Sequence, residues 1–178
     1  IAESRAKLGA RIARSVSIAD RARVATFLGE IARVPFGAES DPQLDAARRD
    51  AVLMGDQMRR AWEDFVLAET AERPLLVVLE DIHWGDLPSV SYLDAALAVG
   101  RDRPFMVFAL ARPDVRDQFP GLWEQRGLQE LRLGSLTRKS AEKLVRDVLG
   151  QRADAAMINQ IVERADGVFY ISHPNARM

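Results

Sequence analysis

The chain has 178 residues, of which 29% are charged and 48% hydrophobic, and its net charge is −1. This composition is typical of a soluble globular protein and argues against a disordered chain or a strongly basic nucleic-acid binder. Because the chain has no cysteine, disulfides and thiolate metal sites are excluded. No apolar run approaches the ~20 residues of a membrane span, so we expect a cytoplasmic protein with no membrane partner.

The first seventy residues have helical periodicity. Residues 3–34 predict two helices with a break near 15–20, because apolar residues recur at helical spacing on each side. After a loop rich in Pro, Gly and Ser, Asp41 is predicted to cap a helix that starts at Pro42 and runs to about Ala71. The arginines of the first helices are spread around the helix surfaces, with Glu3, Asp20 and Glu30 nearby, which indicates solvated helix faces and no nucleic-acid partner for this segment.

Two continuous apolar runs predict buried strands of a parallel sheet, over residues 75–80 and 104–111. The helix between them is expected to begin after Asp86 as its N-cap. A short helix near 117–126 and a weaker third strand at 128–133 follow. Alternating strands and helices indicate an α/β fold, in which ligands bind beyond the carboxyl ends of the strands.

Two further amphipathic helices follow the third predicted strand, and Thr137 is the expected N-cap of the first. We therefore predict a core over residues 1–134, made of the N-terminal helices (1–71) and a strand-containing region (73–134). Residues 135–178 are expected to be the start of a small helical lid subdomain. The chain begins within a helical pattern rather than at Met, so we expect it to be a piece of a longer polypeptide.

Two adjacent acids, Glu80 and Asp81, end the first predicted strand. Carboxylates placed there repel each other and resist burial unless a cation compensates, and Mg²⁺ prefers oxygen ligands. In phosphoryl-transfer sites an acid at this location holds the metal, and a nearby acid orients the attacking water. The alternative is that both acids are exposed turn residues that cap the following helix.

Three further residues near the predicted strand ends are candidates for a role at this site. Arg112 follows the second strand, where its guanidinium can contact a γ-phosphate or the two acids; the alternative is a surface ion pair with Asp114. His83 is expected either to bond to loop backbone or to orient water or a phosphate. Trp84 is expected to anchor the loop in the core.

Four segments of the chain carry a resemblance to a known family. "LLVVLEDIHWGD" resembles the Walker B segment, and "FALARPD" the sensor 1 strand, of AAA+/STAND-type P-loop NTPases. "LRLGSLTRKSAEKLVRDVLG" resembles the beginning of that family's helical domain, and "IVERADGVFY" a later stretch of it. The resemblance covers residues 73–170 and extends to ATPase modules fused to serine/threonine kinases in bacterial signalling proteins. It implies an incomplete AAA+-like three-layer core followed by a helical lid.

The resemblance implies roles for individual residues. Glu80 and Asp81 would bind Mg²⁺, Asp81 would also be the catalytic acid, and Arg112 would be the catalytic sensor. ATP with Mg²⁺ would be the cofactor, bound by Glu80, Asp81, His83 and Arg112. The family more often has Asp at the position of Glu80. The implied partners are the nucleotide, kinase or other effector domains of the same polypeptide, and further copies in nucleotide-dependent self-association.

The phosphate-binding part of such a site is missing from the sequence. No "GxxxxGK[ST]" loop occurs, although the backbone N–H groups and Lys of that loop bind the phosphates. We therefore expect a fragment with Walker B and sensor 1 but no Walker A, inactive alone and an ATPase only within its full-length parent. The alternative is a non-catalytic nucleotide switch or interaction module of a multidomain regulator. Residues 171–178 depart from the family pattern.

Overall fold

The structure is a computed structural model that describes residues 1–36, 41–152 and 154–165. The chain divides into two compact units, Ile1–Leu128 and Gln129–Met178, which are described separately. Helices dominate both units, and two short strands lie in the first. None of the helices in the described part of the chain combines the length and the apolar character that a bilayer crossing demands.

Four helices begin the first unit, as the helical periodicity predicts. They are α1 (Ala2–Ser15), α2 (Arg21–Ile31), α3 (Pro42–Arg49) and α4 (Ala51–Glu72). The break between α1 and α2 lies where it is predicted. The apolar faces of the four helices form one buried cluster, which includes Ile12, Val24, Phe27, Leu44 and Ala61. Because each helix is apolar on one side only, this packing is what keeps them helical in water.

A buried carboxylate ties α1 to α4. Glu69 in the last turns of α4 is 0% exposed. One carboxylate oxygen accepts a hydrogen bond from Ser15 Oγ at 2.5 Å, and the other accepts from the Arg11 guanidinium. Because a buried charge requires such partners, this contact specifies how α1 docks on α4.

The prediction of one helix from Pro42 to about Ala71 is wrong, because the chain breaks at Asp50. The Asp50 backbone is extended, and its side chain accepts hydrogen bonds from the N–H groups of Val52 at 2.9 Å and Leu53 at 3.2 Å. Asp50 is therefore the N-cap of a new helix. The predicted cap at Asp41 is confirmed, since its carboxylate accepts from two N–H groups of the first turn of α3.

The two predicted central strands are confirmed and pair in parallel. Strand β1 (Leu75–Leu79) lies beside β2 (Phe105–Ala109), with Leu75 opposite Phe105 and Leu79 opposite Ala109. Helix α5 (Leu87–Val99) connects them, and Asp86 caps it as predicted by accepting from Ser89 N–H at 2.7 Å. A strand–helix–parallel strand unit is the basic element of α/β folds, so this coarse class is confirmed.

Within the described residues, one face of this sheet is covered and the other is exposed. Its covered face packs on a cluster formed by Ile82, Val90, Leu93, Phe119 and Trp123. The other face, here called the bare sheet face, carries large apolar side chains that are 43–59% exposed: Leu76, Val78, Met106 and Phe108. The expectation of strands buried on both faces is therefore wrong for this side.

The third predicted strand is not formed. Residues 128–133 adopt neither strand nor helix, and Leu131 and Leu133 are 84% and 92% exposed. Because "LQELRL" alternates apolar with polar residues, it needs a neighbouring strand and a core on one side, and neither is present in the described part of the chain. The helix predicted near 117–126 is instead a single turn, α6 (Val115–Gln118), followed by a 3₁₀ turn at Glu124–Arg126.

The second unit contains the two predicted C-terminal helices. Helix α7 (Arg138–Leu149) is capped by Thr137, which accepts from Ser140 N–H at 3.3 Å, and α8 (Ala155–Ala165) follows a short 3₁₀ turn. The two helices pack through four buried apolar residues: Ala141, Val145, Ile158 and Val162. The end of the predicted family-like stretch, residues 166–170, and residues 171–178 lie outside the described residues.

Candidate functional site

The carboxyl ends of β1 and β2 lie side by side, which places the predicted site residues at one edge of the sheet. The hydrogen-bond ladder continues past the strands, because Leu110 N–H donates to Leu79 O at 2.8 Å and Ile82 N–H donates to Leu110 O at 3.0 Å. The acidic pair Glu80–Asp81 follows β1 here, and Arg112 follows β2. Parallel strands place ligands at this edge in α/β proteins.

Both members of the acidic pair are accessible to solvent. Glu80 is exposed, and the Asp81 side chain is 52% exposed. Neither carboxylate accepts a hydrogen bond from any residue that the structure describes. Asp81 has φ 54° and ψ 42°, a left-handed conformation that is uncommon for a non-glycine residue and turns the chain sharply off the strand. Exposed, unbonded carboxylates of this kind can bind a hydrated cation.

The acidic pair lines an open cavity of about 430 Å³. Apolar side chains form most of the remaining lining, among them Leu79, Val90 and Leu93. The exposed Trp84 side chain also lines the cavity. A cavity with an apolar lining and a few charged groups is the usual form of a small-ligand site.

His83 is the one ionisable residue of this loop that is buried, with a side chain only 3% exposed. Its Nδ1 accepts a hydrogen bond from the backbone N–H of Arg112 at 3.4 Å. Nε2 lies 4.0 Å from Asp81 Oδ1 and has no hydrogen-bond partner within the described part of the chain. Two roles were considered from the sequence, and the structure shows the first: His83 is bonded to loop backbone. Little of its ring surface is accessible to a ligand.

The prediction that Trp84 anchors the loop in the core is wrong, because its side chain is 76% exposed. Residues Ile82–Trp84 form a 3₁₀ turn, in which the first two side chains take the buried positions and the third faces solvent. The Trp84 ring instead contacts the His83 ring, with centroids 5.0 Å apart. Trp123, which is 7% exposed, lies in the core, and sequence reasoning did not identify it.

The Arg112 side chain is exposed and unpaired within the described residues. Its alternative role, a local ion pair with Asp114, does not occur, and neither acid of the acidic pair contacts it. The Arg112 backbone, in contrast, is bonded on both sides: its N–H donates to His83 Nδ1 at 3.4 Å, and its carbonyl accepts from Val115 N–H at 3.1 Å. The guanidinium is thus free to bind an anion at the edge where the acidic pair lies.

A second cavity, of about 690 Å³, lies between α5 and residues 118–126. Asp94 and Arg126 line it and form a two-pronged ion pair, with Nε–Oδ1 at 2.8 Å and Nη2–Oδ2 at 2.7 Å. The hydrogen bonds from Arg126 lower the pKa of the Asp94 carboxyl below its ordinary value. No pattern in the sequence predicts this pair, because the partners are 32 residues apart.

The metal-binding capacity of the described residues is small. They contain no group of three or more His, Cys, Asp or Glu side chains arranged around one point. Mg²⁺ often binds through one or two carboxylates plus waters and phosphate oxygens, so the acidic pair alone fits part of its coordination shell. Comparison of the chain with protein-family models, with curated proteins and with solved structures found no match.

Proposed function

We propose that this chain carries the Mg²⁺-binding and sensor residues of an AAA+/STAND-type ATPase module belonging to a larger cytoplasmic signalling protein. One observation carries the proposal: the acidic pair and Arg112 follow adjacent parallel strands at the same edge of the sheet. Phosphoryl transfer from ATP requires a divalent cation and a positively charged group around the γ-phosphate. This edge offers carboxylate ligands for the first and a guanidinium for the second.

The charges at this edge support the proposal because they are not neutralised by the protein. Glu80, Asp81 and Arg112 are exposed and make no ion pair with one another. Glu80 and Asp81 would hold the metal, and Arg112 would contact the γ-phosphate. Bound Mg²⁺ would neutralise charge on the phosphate oxygens. Asp81 would in addition orient the attacking water.

The bare sheet face supports the further proposal that the ATPase core is completed by other segments of a parent polypeptide. Parallel sheets are ordinarily covered on both faces, whereas Leu76, Val78, Met106 and Phe108 remain exposed here. The phosphate-binding loop, which the sequence lacks, would come with those segments. The chain alone is then inactive, although it contains the acids.

A non-catalytic nucleotide switch is the second candidate function, and Glu80 is the observation that favours it. Its side chain is one methylene longer than the Asp more common in the family, which changes the geometry of the metal relative to Asp81. Such a module would bind nucleotide, change its self-association or its contacts with flanking kinase domains, and hydrolyse ATP slowly. Single-turnover hydrolysis measured together with nucleotide-dependent oligomerisation separates the two functions.

The catalytic role of Asp81 is tested in a polypeptide that joins this chain to a phosphate-binding loop. Asp81→Asn removes the acid but keeps the shape, so ATP hydrolysis should fall by roughly 100-fold or more. Asp114→Asn is the control, because Asp114 is an exposed acid of the same edge that makes no capping bond. An unchanged rate in Asp81→Asn would remove Asp81 from the reaction.

The dependence on a separate phosphate-binding loop is tested on the 178-residue chain itself. Isothermal titration with Mg-ATP should show no saturable binding at micromolar concentrations, because neither backbone amides of a Gly-rich loop nor its Lys are present. Micromolar binding would contradict the proposal that the phosphates are bound by another segment.

A further inference from the structure

The hydrogen-bond ladder between β1 and β2 changes its acceptor at the candidate site. In a regular parallel ladder, Asp81 N–H would donate to Leu110 O, and Asp81 O would accept from Arg112 N–H. The left-handed turn at Asp81 shifts the first of these bonds to Ile82 N–H, which lies 3.0 Å from Leu110 O. Asp81 O accepts from Trp84 N–H at 2.8 Å instead. Arg112 N–H therefore loses its backbone acceptor.

The His83 imidazole supplies the missing acceptor. Its Nδ1 lies 3.4 Å from Arg112 N, and its side chain is only 3% exposed. A nitrogen that accepts a hydrogen bond carries no proton, so the neutral ring holds its proton on Nε2. Nε2 lies 4.0 Å from Asp81 Oδ1 and has no hydrogen-bond partner among the described residues. One ring thus contacts the backbone of Arg112 and lies close to the carboxylate of Asp81.

We propose that His83 is a positioning residue that fixes Arg112 relative to Asp81 by replacing a backbone carbonyl in the strand ladder. The ring does not contact nucleotide itself, because its side chain is buried. The hydrogen bond that the ring accepts sets the path of the backbone as it leaves β2, and therefore the position from which the Arg112 side chain extends. The functional importance of the Arg112 position rests on the proposed function. The hydrogen bond from Arg112 N–H to His83 Nδ1 and the tests of that bond do not.

The tautomer of His83 is the first test, and it needs no substitution at the site. Long-range ¹⁵N–¹H NMR spectra of the intact chain distinguish a protonated Nε2 with free Nδ1 from the reverse. His173→Gln identifies the signals of His83, because the chain has only these two histidines. We expect the Nε2–H form. A proton on Nδ1 in the neutral ring would overturn the proposal.

Amide hydrogen exchange at Arg112 is the second test, and isosteric variants make it specific. Asn places an acceptor at the position of Nδ1, whereas Gln reaches the position of Nε2 and Leu offers no acceptor. We expect Arg112 exchange to be roughly fivefold faster in His83→Gln and His83→Leu and within about twofold of wild type in His83→Asn. Leu110 N–H, which bonds to Leu79 O, is the internal control. Equal exchange in all variants would overturn the proposal.

The outcome of these two tests does not depend on whether the carboxyl edge of β1 and β2 binds nucleotide. Both tests use the chain without metal or ATP, so they can succeed even if Mg²⁺ does not bind to the acidic pair. Conversely, Mg²⁺ binding with an unprotected Arg112 amide would leave the proposed function standing and refute the role of His83. A merely structural residue would not show rescue by Asn and loss with Gln, since both variants remove the same ring.

Discussion

At the scale of single residues, the acids of the candidate site differ from two other acids of the molecule, Glu69 and Asp94, which are held by arginine partners. Glu69 is buried and bonded to Ser15 and Arg11, and Asp94 is held by two hydrogen bonds from Arg126. The acidic pair Glu80–Asp81 has no such bonds within the described residues. Exposed and unbonded acids cost the fold little and remain available to a cation, which is why they are candidates for function.

The Asp94–Arg126 pair makes stability depend on pH in a defined direction. Because the folded-state pKa of Asp94 is lowered by Arg126, the pair stabilises the fold above the ordinary Asp pKa of about 3.9 and this contribution is lost as pH falls through the lowered value. Asp94→Asn should therefore reduce stability by less than about 1 kcal/mol at pH 7, since the pair is partly exposed, and the loss should shrink as pH falls through the lowered pKa of Asp94.

Thermal unfolding of wild type and Asp94→Asn at a series of pH values measures this dependence. Asp102→Asn, which changes an exposed acid without an ion pair in the described structure, is the matched control. A difference between wild type and Asp94→Asn that persists unchanged at low pH would show that the pair does not act through charge.

At the scale of helices and strands, helix N-caps could be predicted from the sequence, whereas the direction of the Trp84 side chain could not. Three predicted caps, Asp41, Asp86 and Thr137, bond to their helices because capping involves residues only two or three positions apart. Asp50 was missed because apolar spacing continues through it. The direction of Trp84 depends on the 3₁₀ turn that follows the left-handed Asp81, which no pattern in the sequence reveals.

The cap at Asp50 is expected to hold the junction of α3 and α4. Asp50→Ala leaves the Val52 and Leu53 N–H groups without their acceptor and should lower the free energy of unfolding by about 1 kcal/mol. Asp50→Asn keeps an oxygen in the same place and should be nearly neutral. Urea denaturation followed by circular dichroism compares the two. Equal stability of Asp50→Ala and wild type would mean that α3 and α4 join into the single helix that the sequence suggests.

At the scale of the whole molecule, the sheet is the feature that the sequence predicts only in part. The two continuous apolar runs identify β1 and β2 and their parallel pairing, because such runs are typical of strands between covering layers. The apolar runs do not reveal which covering layers are present. One face of the sheet packs on a covering layer, and the other face is exposed at Leu76, Val78, Met106 and Phe108. The third predicted strand, at 128–133, does not pair, since a weak alternating segment depends on neighbours.

The two faces of the sheet are expected to respond differently to the same substitution. Val77 packs on the covered cluster, so Val77→Thr places a hydroxyl among apolar side chains and should cost about 1–2 kcal/mol. Val78 is 53% exposed, so Val78→Thr should change stability by less than about 0.5 kcal/mol. Both are β-branched replacements, so strand propensity is matched. Equal losses in chemical denaturation would show that the bare sheet face is packed in solution.

The central claim, that the edge beyond β1 and β2 is a divalent-cation site, is tested most directly with Mn²⁺ as a paramagnetic substitute for Mg²⁺. In NMR spectra of the 178-residue chain, Mn²⁺ should first broaden the amide signals of residues 79–85 and 110–113, and excess Mg²⁺ should restore them. Asp81→Asn with Glu80→Gln should abolish the effect, whereas Asp114→Asn should leave it. Broadening that begins elsewhere, or that survives loss of both acids, would contradict the claim.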